Sequence, residues 1–429
     1  MRVAFVGMSH LGIVSAMGLA AKGVDTICID KSKELIDKLQ IGEFPIVEED
    51  LGFLFSKARD YLRFSADFNL LNICDLVYIS QDVPTDDLGH SDTNGIDEYI
   101  KSVVDFLNPE SGIVILSQVR PGFTRKAKST LSNYLAYQVE TLVFGKAVER
   151  VCIPERYIVG LVDEESKMLP AHEKVLKLFD CPILTMNYES AELAKISINL
   201  FLASAVLAAN SLAQLAETIG ARWSDIESAL KLDKRIGSKA YTSPGLGISG
   251  GNIERDIRSA EMLASSHNCD RALYHAIESN SLLRKQWPSE ILLSLLPNLA
   301  PKPTVAMWGL TYKSKTHSLK NSPALQNIEN LMDICYLQIS DPLVEIPAHL
   351  SGKVSFDYNP LKALEGADVL IIFNDSKEFC QFSIDVIKTM MKDRIIIDPF
   401  RVLSNIVDSD FDYFVLGSKP KLRYRGPLN

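Results

Sequence analysis

A short turn near the amino terminus contains the residues with the clearest chemical meaning. Residues 7–12 have the spacing Gly-x-Ser-x-x-Gly, follow a β-branched run and open a helical pattern, and Asp30 closes the next apolar run. In such a turn, backbone N–H groups at a helix start hold a pyrophosphate, and the acid accepts hydrogen bonds from a ribose. We predict that Gly7, Ser9, Gly12 and Asp30 bind a dinucleotide. The alternative is an ordinary strand-to-helix turn.

Two details of this turn bear on which dinucleotide would bind. Ser9 stands where the pattern usually has its middle glycine, and a side chain there crowds the closest approach of backbone to phosphate. Asp30 repels a 2′-phosphate, which favours NAD over NADP.

A second glycine-rich segment lies in the middle of the chain. Residues 245–251 contain glycine at 245, 247, 250 and 251. Glycine weakens helices and strands, so we do not expect these glycines to serve packing. The segment is interpreted as a loop for close backbone approach to a ligand, and a flexible linker between domains is the alternative.

Length and composition limit the classes of protein that this chain can belong to. With 429 residues, 47% hydrophobic and 23% charged, it is long enough for two or three folded domains and too apolar for a disordered chain. The net charge of -9 disfavours a broad nucleic-acid surface, although local basic pockets for phosphate remain open.

The cysteines and the longest apolar stretch bear on location. The seven cysteines are scattered and form no CxxC pair, which indicates no metal site and a reducing cytoplasm. No signal peptide is expected, because residues 2–7 already resemble a strand and its turn. Residues 200–216 include serine, asparagine and glutamine, so we predict a buried helix rather than a membrane span.

Periodicity predicts the elements that must position these residues. Two α/β regions flank a helical middle that begins with a helix of some 30 residues from Glu189 to about Thr218. We predict domains at 1–187, 188–298 and 299–429. The predicted strands are Val3–Val6, Thr26–Ile29, Leu76–Ile79, Ile113–Leu116, Tyr157–Val159, Thr304–Trp308, Leu337–Ser340, Val369–Phe373 and Arg394–Asp398.

Four motifs in order make the chain resemble the UDP-glucose/GDP-mannose dehydrogenase family. They are the turn at 7–12, the helix at 192–203, Asp-x-Arg-Ile-Gly at 233–237 with the glycine-rich loop, and Lys313 to Thr316 followed by Ser322-Pro323. The resemblance covers essentially the whole chain. It implies two Rossmann-like doubly wound parallel-sheet domains joined by a helical dimerisation domain. It also implies oxidation of the C6 alcohol of a nucleotide sugar to a carboxylate with two NAD, through an aldehyde and a cysteine thioester.

The resemblance assigns catalytic roles to four retained positions. Lys195 and Asn199, four residues apart on one helix face, match the pair that positions and polarises the reacting oxygen. Asp256 matches the acid that helps to activate water, and Glu140 is a candidate for the catalytic glutamate in a poorly kept segment. Without the family, Lys195 would be a solvated surface lysine and Asp256 an exposed helix cap.

The decisive departure from the family is at Asn252. The resemblance implies the cysteine nucleophile at this position, four residues before Asp256. An amide offers no thiolate and cannot form a thioester. Cys269 is the nearest cysteine, and we expect it to be a small buried side chain in a helix.

Most of the residues that the family uses to bind the nucleotide sugar have a match in this chain. Arg235, Lys313 and Arg401 match cationic contacts to the substrate, which phosphates favour through charge-assisted hydrogen bonds. Arg235 matches a residue that often reaches the substrate of a neighbouring subunit. Lys320 replaces an arginine and is assigned to the cofactor. Gly247 and Gly250 of the glycine-rich loop are assigned to the substrate.

Three hypotheses remain open from the sequence. The first is an NAD-dependent oxidoreductase of a nucleotide sugar, most simply a UDP-hexose, homodimeric through its long helix and limited to alcohol-to-carbonyl oxidation. The second is a catalytically silent nucleotide-sugar or NAD-binding protein, supported by the changes at Gln118, Phe144, Arg255 and Asn252. The third is full oxidation through an aldehyde hydrate that needs no thioester.

Overall fold

The structure is a computed structural model that describes residues 1–84, 91–140, 142–143, 145–163 and 165–423. Phe144, one of the departures named above, lies outside these residues. The chain forms two compact units, Met1–Ile198 and Asn199–Asn429. The division into three domains stays a prediction.

The first unit is built on an eight-stranded sheet whose order is β3-β2-β1-β4-β5-β6-β7-β8. Its central strands are buried along their whole length, which explains their continuous Val, Ile and Leu runs. The strands are β1 Arg2–Val6, β2 Asp25–Ile29, β3 Leu62–Ser65, β4 Leu76–Ile79, β5 Gly112–Ile115, β6 Tyr134–Gln138, β7 Tyr157–Leu161 and β8 Ile183–Asn187.

Helices cover both faces of this sheet and bury separate apolar clusters on each. They are α1 His10–Ala20, α2 Lys33–Gln40, α3 Leu51–Ala58, α4 Asn94–Val104, α5 Phe123–Lys128, α6 Ala147–Cys152 and α7 Pro170–Lys177. One detail differs from a purely parallel sheet. β7 pairs antiparallel with β6, and the short α6 that lies between them in the chain contacts α1.

A fully buried histidine ties α7 to β6 in this unit. His172 bonds through Nε2 to Gln138 Oε1 at 3.0 Å and through Nδ1 to the Tyr134 hydroxyl at 3.1 Å. Burial lowers the pKa of His172 to about 3. The ring is therefore neutral at ordinary pH, and both of its nitrogens have a polar partner in the core.

This histidine makes the first unit sensitive to acid. An unfolded histidine has a pKa near 6.5, so between pH 6.5 and 3 the unfolded state binds more protons than the folded state, and stability is lost as pH falls. By pH 5.5 the loss is about 1.4 kcal/mol. We expect amide hydrogen exchange in β6 and α7, corrected for intrinsic rates, to report this loss between pH 7.5 and 5.5.

The control is His172→Gln, which keeps a hydrogen-bonding side chain but has no proton to gain. Its opening free energy should change less between the two pH values, by about the same 1.4 kcal/mol. An equal pH dependence in both proteins would contradict the role given to His172.

The second unit contains a six-stranded parallel sheet with the order β11-β10-β9-β12-β13-β14. This is the same 3-2-1-4-5-6 arrangement as the first six strands of the other sheet, and it is typical of Rossmann-type domains. The strands are β9 Thr304–Trp308, β10 Tyr336–Ser340, β11 Ser355–Phe356, β12 Val369–Ile372, β13 Ile395–Ile397 and β14 Asp412–Phe414.

A 32-residue helix, α8 Tyr188–Ile219, runs from the first unit into the second and confirms the predicted long helix. Helices of the second unit precede and surround its sheet. They are α9 Trp223–Leu232, α10 Asn252–Ser266, α11 Ala272–Leu295, α12 Pro323–Leu331, α13 Pro360–Leu364 and α14 Ile384–Met390.

Buried polar groups join these helices to the sheet of the second unit. Glu217 of α8 accepts hydrogen bonds from Arg284 Nη2 at 3.1 Å and from the Gly417 N–H at 2.8 Å. The Asn327 amide of α12 donates to the Lys285 carbonyl of α11 at 2.8 Å. These contacts explain why the helical middle and the carboxyl-terminal sheet form one compact unit.

The prediction of a buried helix at residues 200–216 is wrong for the single chain. Phe201 is 79% exposed, and Leu212 and Leu215 are each about half exposed. The helix buries mainly its alanine positions, which allow close packing on one side and leave the larger apolar side chains outside. By length and composition alone, α8 is the single helix among the described residues that is able to cross a membrane.

Candidate functional site

The turn between β1 and α1 has the tight geometry that a dinucleotide site requires. Gly7 has φ +94°, and its N–H donates to the Ile29 carbonyl at 2.9 Å. A Cβ on Gly12 would lie 2.0 Å from the Gly7 carbonyl oxygen. Only glycine at position 12 lets α1 begin against this turn, and its first N–H groups are placed for a pyrophosphate.

The Ser9 side chain braces the turn against β4. Its hydroxyl donates to the Ser80 carbonyl at 3.1 Å and accepts from the Asp82 N–H at 2.8 Å. The φ of −81° at Ser9 is also one that a non-glycine residue adopts without strain. A serine in place of the middle glycine is therefore accounted for by protein contacts of its own.

Asp30 follows the end of β2 and lines a cavity. Its two carboxylate oxygens accept from the Met8 N–H and the Ser32 N–H, both at 2.8 Å. A carboxylate has about four lone-pair sites, so these two bonds leave capacity for ribose hydroxyls. The cavity has a volume of about 560 Å³ and includes Ser9 and Tyr99 in its lining. These residues fit NAD.

A second carboxylate, which belongs to no sequence motif, holds the other side of the same turn. Glu48, whose side chain is 1% exposed, contacts His10 Nε2 at 2.8 Å through Oε1. The same carboxylate accepts from the Gly145 N–H at 2.9 Å and the Ala147 N–H at 3.0 Å. It thus joins the start of α1 to the segment that follows Glu140.

The second sheet repeats the turn in another form. Gly309 after β9 also has φ +94°, and its N–H donates to the Ser340 carbonyl at 2.8 Å. Asp341 after β10 occupies the place that Asp30 has in the first unit, but it accepts four backbone N–H groups, of residues 310, 311, 343 and 344. Its lone pairs are filled. In the sequence, this second turn could have been recognised from Gly309 directly after one strand and Asp341 directly after the next, the same pattern as Gly7 and Asp30.

The glycine-rich loop is packed against protein, which corrects the expectation that its glycines do not serve packing. A Cβ on Gly247 would lie 2.4 Å from the Ser281 carbonyl, and one on Gly250 would lie 2.5 Å from the Tyr312 ring. Gly251 lies against the Lys320 side chain, and the Lys320 carbonyl accepts the Gly250 N–H at 3.1 Å. Close backbone approach to neighbouring segments accounts for these glycines. Substrate contacts of Gly247 and Gly250, and a cofactor contact of Lys320, stay predictions.

Asn252 is the first residue of α10, directly after this loop. Gly251 caps the helix with its N–H bound to Glu254 Oε2 at 3.1 Å. Glu254 also accepts from Lys285 Nζ at 3.0 Å and from the Asn321 amide at 2.7 Å, so the helix start is fixed on several sides. A thiol here would gain nucleophilicity from the helix N-terminus, whereas the amide of Asn252 gains none.

Asp256, one turn further on, is the centre of a buried polar cluster. Its side chain is 1% exposed. Asn199 Nδ2 donates to Asp256 Oδ2 at 2.5 Å, and Arg255 Nε donates to Oδ1 at 3.2 Å. The structure thus brings two predicted catalytic residues together. With Arg255 and Asn199 on its oxygens, Asp256 has fewer lone pairs left to activate water, and that role stays a prediction.

Two further predicted catalytic residues belong to the first unit. Glu140 follows β6 and is half-buried; its charge is a minor cause, after burial, of the raised pKa of Tyr78 and Tyr157. Lys195 is half-buried on α8, four residues before Asn199. The spacing places the two on one face of the helix. Their catalytic roles stay predictions.

The cationic residues assigned to the substrate have different surroundings. Arg235 follows α9, is 90% exposed and pairs with Asp233 at 2.7 Å. Lys313 Nζ lies 5.6 Å from the centre of the Tyr312 ring. Arg401 has φ +59° and donates to the Leu416 carbonyl at 2.8 Å. A common anionic pocket for the three stays a prediction.

The expectation for Cys269 is wrong. The residue is exposed and lies between α10 and α11, because α10 ends at Ser266 and Asn268 adopts a left-handed φ of +56°. All seven cysteines are free.

Three regions of the chain match domains of one family. Residues 1–180 match the NAD binding domain of the UDP-glucose/GDP-mannose dehydrogenase family, residues 189–281 its central domain and residues 306–405 its UDP binding domain. A UDP-glucose 6-dehydrogenase of Rickettsia typhi is 30% identical over 98% of this chain and 100% of its own length. The chain belongs to this family. NAD is therefore its cofactor.

Other relatives extend the comparison. The UDP-glucose 6-dehydrogenase TuaD of Bacillus subtilis is 26% identical, over 94% of this chain and 90% of its own. A UDP-glucose dehydrogenase structure from Pyrobaculum islandicum has a TM-score of 0.82 at 23% identity and covers 92% of this chain and 93% of its own. A UDP-D-ManNAc dehydrogenase structure from Pyrococcus horikoshii has a TM-score of 0.81 at 23% identity, covering 97% and 99%. These structures share the fold of this family member.

The geometry of the turn makes a test of the cofactor site direct. Gly12→Ala places a Cβ 2.0 Å from the Gly7 carbonyl, so α1 and the turn must separate, at about 1 to 3 kcal/mol. We expect NADH affinity, measured by fluorescence titration, to fall at least about tenfold. The control is Gly52→Ala on α3, where a Cβ meets no atom within 4 Å and affinity should not change. Unaltered affinity in Gly12→Ala would contradict this placement of the pyrophosphate.

Proposed function

We propose that this family member is an NAD-dependent dehydrogenase of a UDP-sugar, most simply a UDP-hexose, that oxidises the C6 alcohol to an aldehyde and stops there. The observation that carries the proposal is Asn252 at the start of α10, beside a retained cluster of Asn199 and Asp256. The UDP-sugar is supported by the matched UDP binding domain and by relatives named UDP-glucose 6-dehydrogenase.

The first oxidation is within the chemistry of the retained residues. Lys195 and Asn199 position and polarise the C6 hydroxyl oxygen, whose proton leaves to water as the carbonyl forms. Bound NAD supplies the acceptor for the hydride that leaves C6. Asp256 fixes the Asn199 amide through its 2.5 Å hydrogen bond, so that amide is held in one orientation before the substrate arrives.

The second oxidation needs a group that this site lacks. An aldehyde has no hydride to give until a nucleophile adds to its carbonyl carbon and makes a tetrahedral adduct. In the family that nucleophile is the thiolate, and an amide does not replace it. Loss of the adduct removes only the second step, because the first step uses neither the thiol nor its adduct.

One observation favours the alternative of a silent binding protein. Arg255 pairs with Asp256 in a nearly buried contact, with side chains 12% and 1% exposed. This pairing neutralises the acid of the cluster.

A third possibility is water adding to the aldehyde, which gives a hydrate that can release a second hydride without a thioester.

Counting the products separates these possibilities. With UDP-glucose and excess NAD, we expect about one NADH per sugar oxidised and a product lighter than the substrate by two hydrogens. Asn252→Cys should move the reaction toward two NADH and a carboxylate. NADH absorbance and product mass are measured on the same sample.

The two remaining outcomes would each support a different hypothesis. Two NADH per sugar from the unaltered protein would show that the hydrate suffices and would contradict the aldehyde as product. No NADH from either form, across a panel of UDP-sugars that do bind, would favour the silent binding protein.

The exposed face of α8 supports a homodimer through this helix. Its apolar side chains at 201, 212, 215 and 219 are about half exposed or more, with Phe201 at 79%. Apolar surface of this extent on one helix marks an interaction surface. A second copy of the same helix offers the same chemistry, which suits a two-fold interface.

A charge on this face should separate the subunits. We expect Phe201→Glu to be monomeric by light scattering at concentrations where the parent chain is dimeric. Phe53→Glu on α3 is the matched control, since Phe53 is 74% exposed, and it should stay dimeric. A parent chain that is monomeric throughout, or a dimer that survives Phe201→Glu, would exclude this interface.

We also propose a cytoplasmic location. Seven free cysteines, several of them in apolar clusters, suit a reducing compartment.

A further inference from the structure

The wall of the NAD cavity near Asp30 has an unusual charge balance. Among the described residues that line it, Lys31 is the one cation, while Asp30, Asp82, Asp92 and Glu98 supply four carboxylates. Asp30 marks the end where the adenosine ribose binds, because an acid after the second strand accepts the ribose hydroxyls. Whether this end of the cavity accepts a 2′-phosphate therefore depends on whether the Lys31 ammonium is available to pair with it.

The Lys31 side chain is held against α4 by two neighbours. Its Nζ lies 4.6 Å from the centre of the Tyr99 ring and 3.7 Å from Glu98 Oε2. The aromatic face attracts the ammonium through a cation–π interaction, and the carboxylate attracts it through opposite charge. Burial and then the Asp30 charge raise the pKa of Tyr99 to about 12, so this ring stays neutral beside the acid.

We propose that Glu98 is a cofactor-specificity residue of this dehydrogenase, which selects NAD over NADP by occupying Lys31. A cation at this place is what an enzyme needs in order to accept a 2′-phosphate. Glu98 opposes that use in two ways. It competes with the phosphate for Lys31, and it adds a negative charge at the cavity wall. The 2′-hydroxyl of NAD meets neither obstacle.

The expected size of the effect follows from charge and distance. Both side chains are partly exposed, Lys31 at 45% and Glu98 at 71%, so their interaction is screened as in water. A phosphate carries nearly two charges, and charges about 6 Å apart in water interact weakly but measurably. Removing the Glu98 charge should therefore improve NADP relative to NAD by about fivefold to tenfold.

The experiment compares Kd values for NAD and NADP, both obtained by displacement of NADH fluorescence at low salt. Glu98→Gln keeps the size of the side chain and removes its charge. We expect it to lower the ratio of the NADP Kd to the NAD Kd by about fivefold to tenfold, chiefly through a lower NADP Kd. Glu34→Gln is the matched control, because Glu34 also pairs with an exposed lysine, Lys38, at 2.7 Å on α2. It should leave the ratio unaltered.

A double variant tests the route through Lys31. Relative to Lys31→Met alone, Lys31→Met combined with Glu98→Gln should show a smaller improvement, because the phosphate then finds no cation and only the direct repulsion by Glu98 is removed. The improvement should also shrink in 0.5 M salt. An unchanged ratio in Glu98→Gln would overturn the proposal. An improvement of undiminished size in the absence of Lys31 would overturn it as well, since Glu98 would then act only by its own repulsion. These binding measurements do not depend on whether a sugar is oxidised.

Discussion

The loops of this protein depend on buried carboxylates that accept backbone N–H groups. Asp30 and Glu48 hold the two sides of the first turn, Glu192 binds the Gly122 and Thr124 N–H groups, and Asp341 binds four N–H groups in the second sheet. A carboxylate removed from water is stable only with such partners. The chain therefore forms ordered loops at the sheet edges where ligands bind in this architecture. What differs between these acids is the number of lone pairs left for a ligand.

That difference separates structural from functional acids. Asp341 is saturated by the protein, whereas Asp30 accepts two backbone N–H groups and lines a cavity. Asp256 differs from both, since the side chains of Asn199 and Arg255 donate to its two oxygens. In this account the cluster survives because it orients an alcohol, while Asn252 removes the step that a thiolate would add.

Much of the fold was predictable because its central strands are buried on both faces, and such strands appear in the sequence as continuous apolar runs. All nine predicted strands exist, with ends displaced by a residue or two. The missed strands lie at edges or contain polar residues: β8 is half-exposed, and β6 contains Gln138, whose burial depends on His172 far along the chain. The packing of the glycine-rich loop against Tyr312 was equally hidden, because periodicity carries no information on which segments meet.

The central claim is that oxidation proceeds here without a covalent enzyme–sugar adduct. Intact-protein mass spectrometry of samples quenched during turnover with UDP-glucose and NAD tests it most directly. The account predicts that NADH accumulates while the mass of the protein stays that of the unmodified chain, and that Asn252→Cys shows an increase by the mass of the whole UDP-sugar unit, since UDP stays attached to the sugar. An adduct with the mass of the UDP-sugar unit on the unaltered protein, at any of its seven cysteines or elsewhere, would contradict the account.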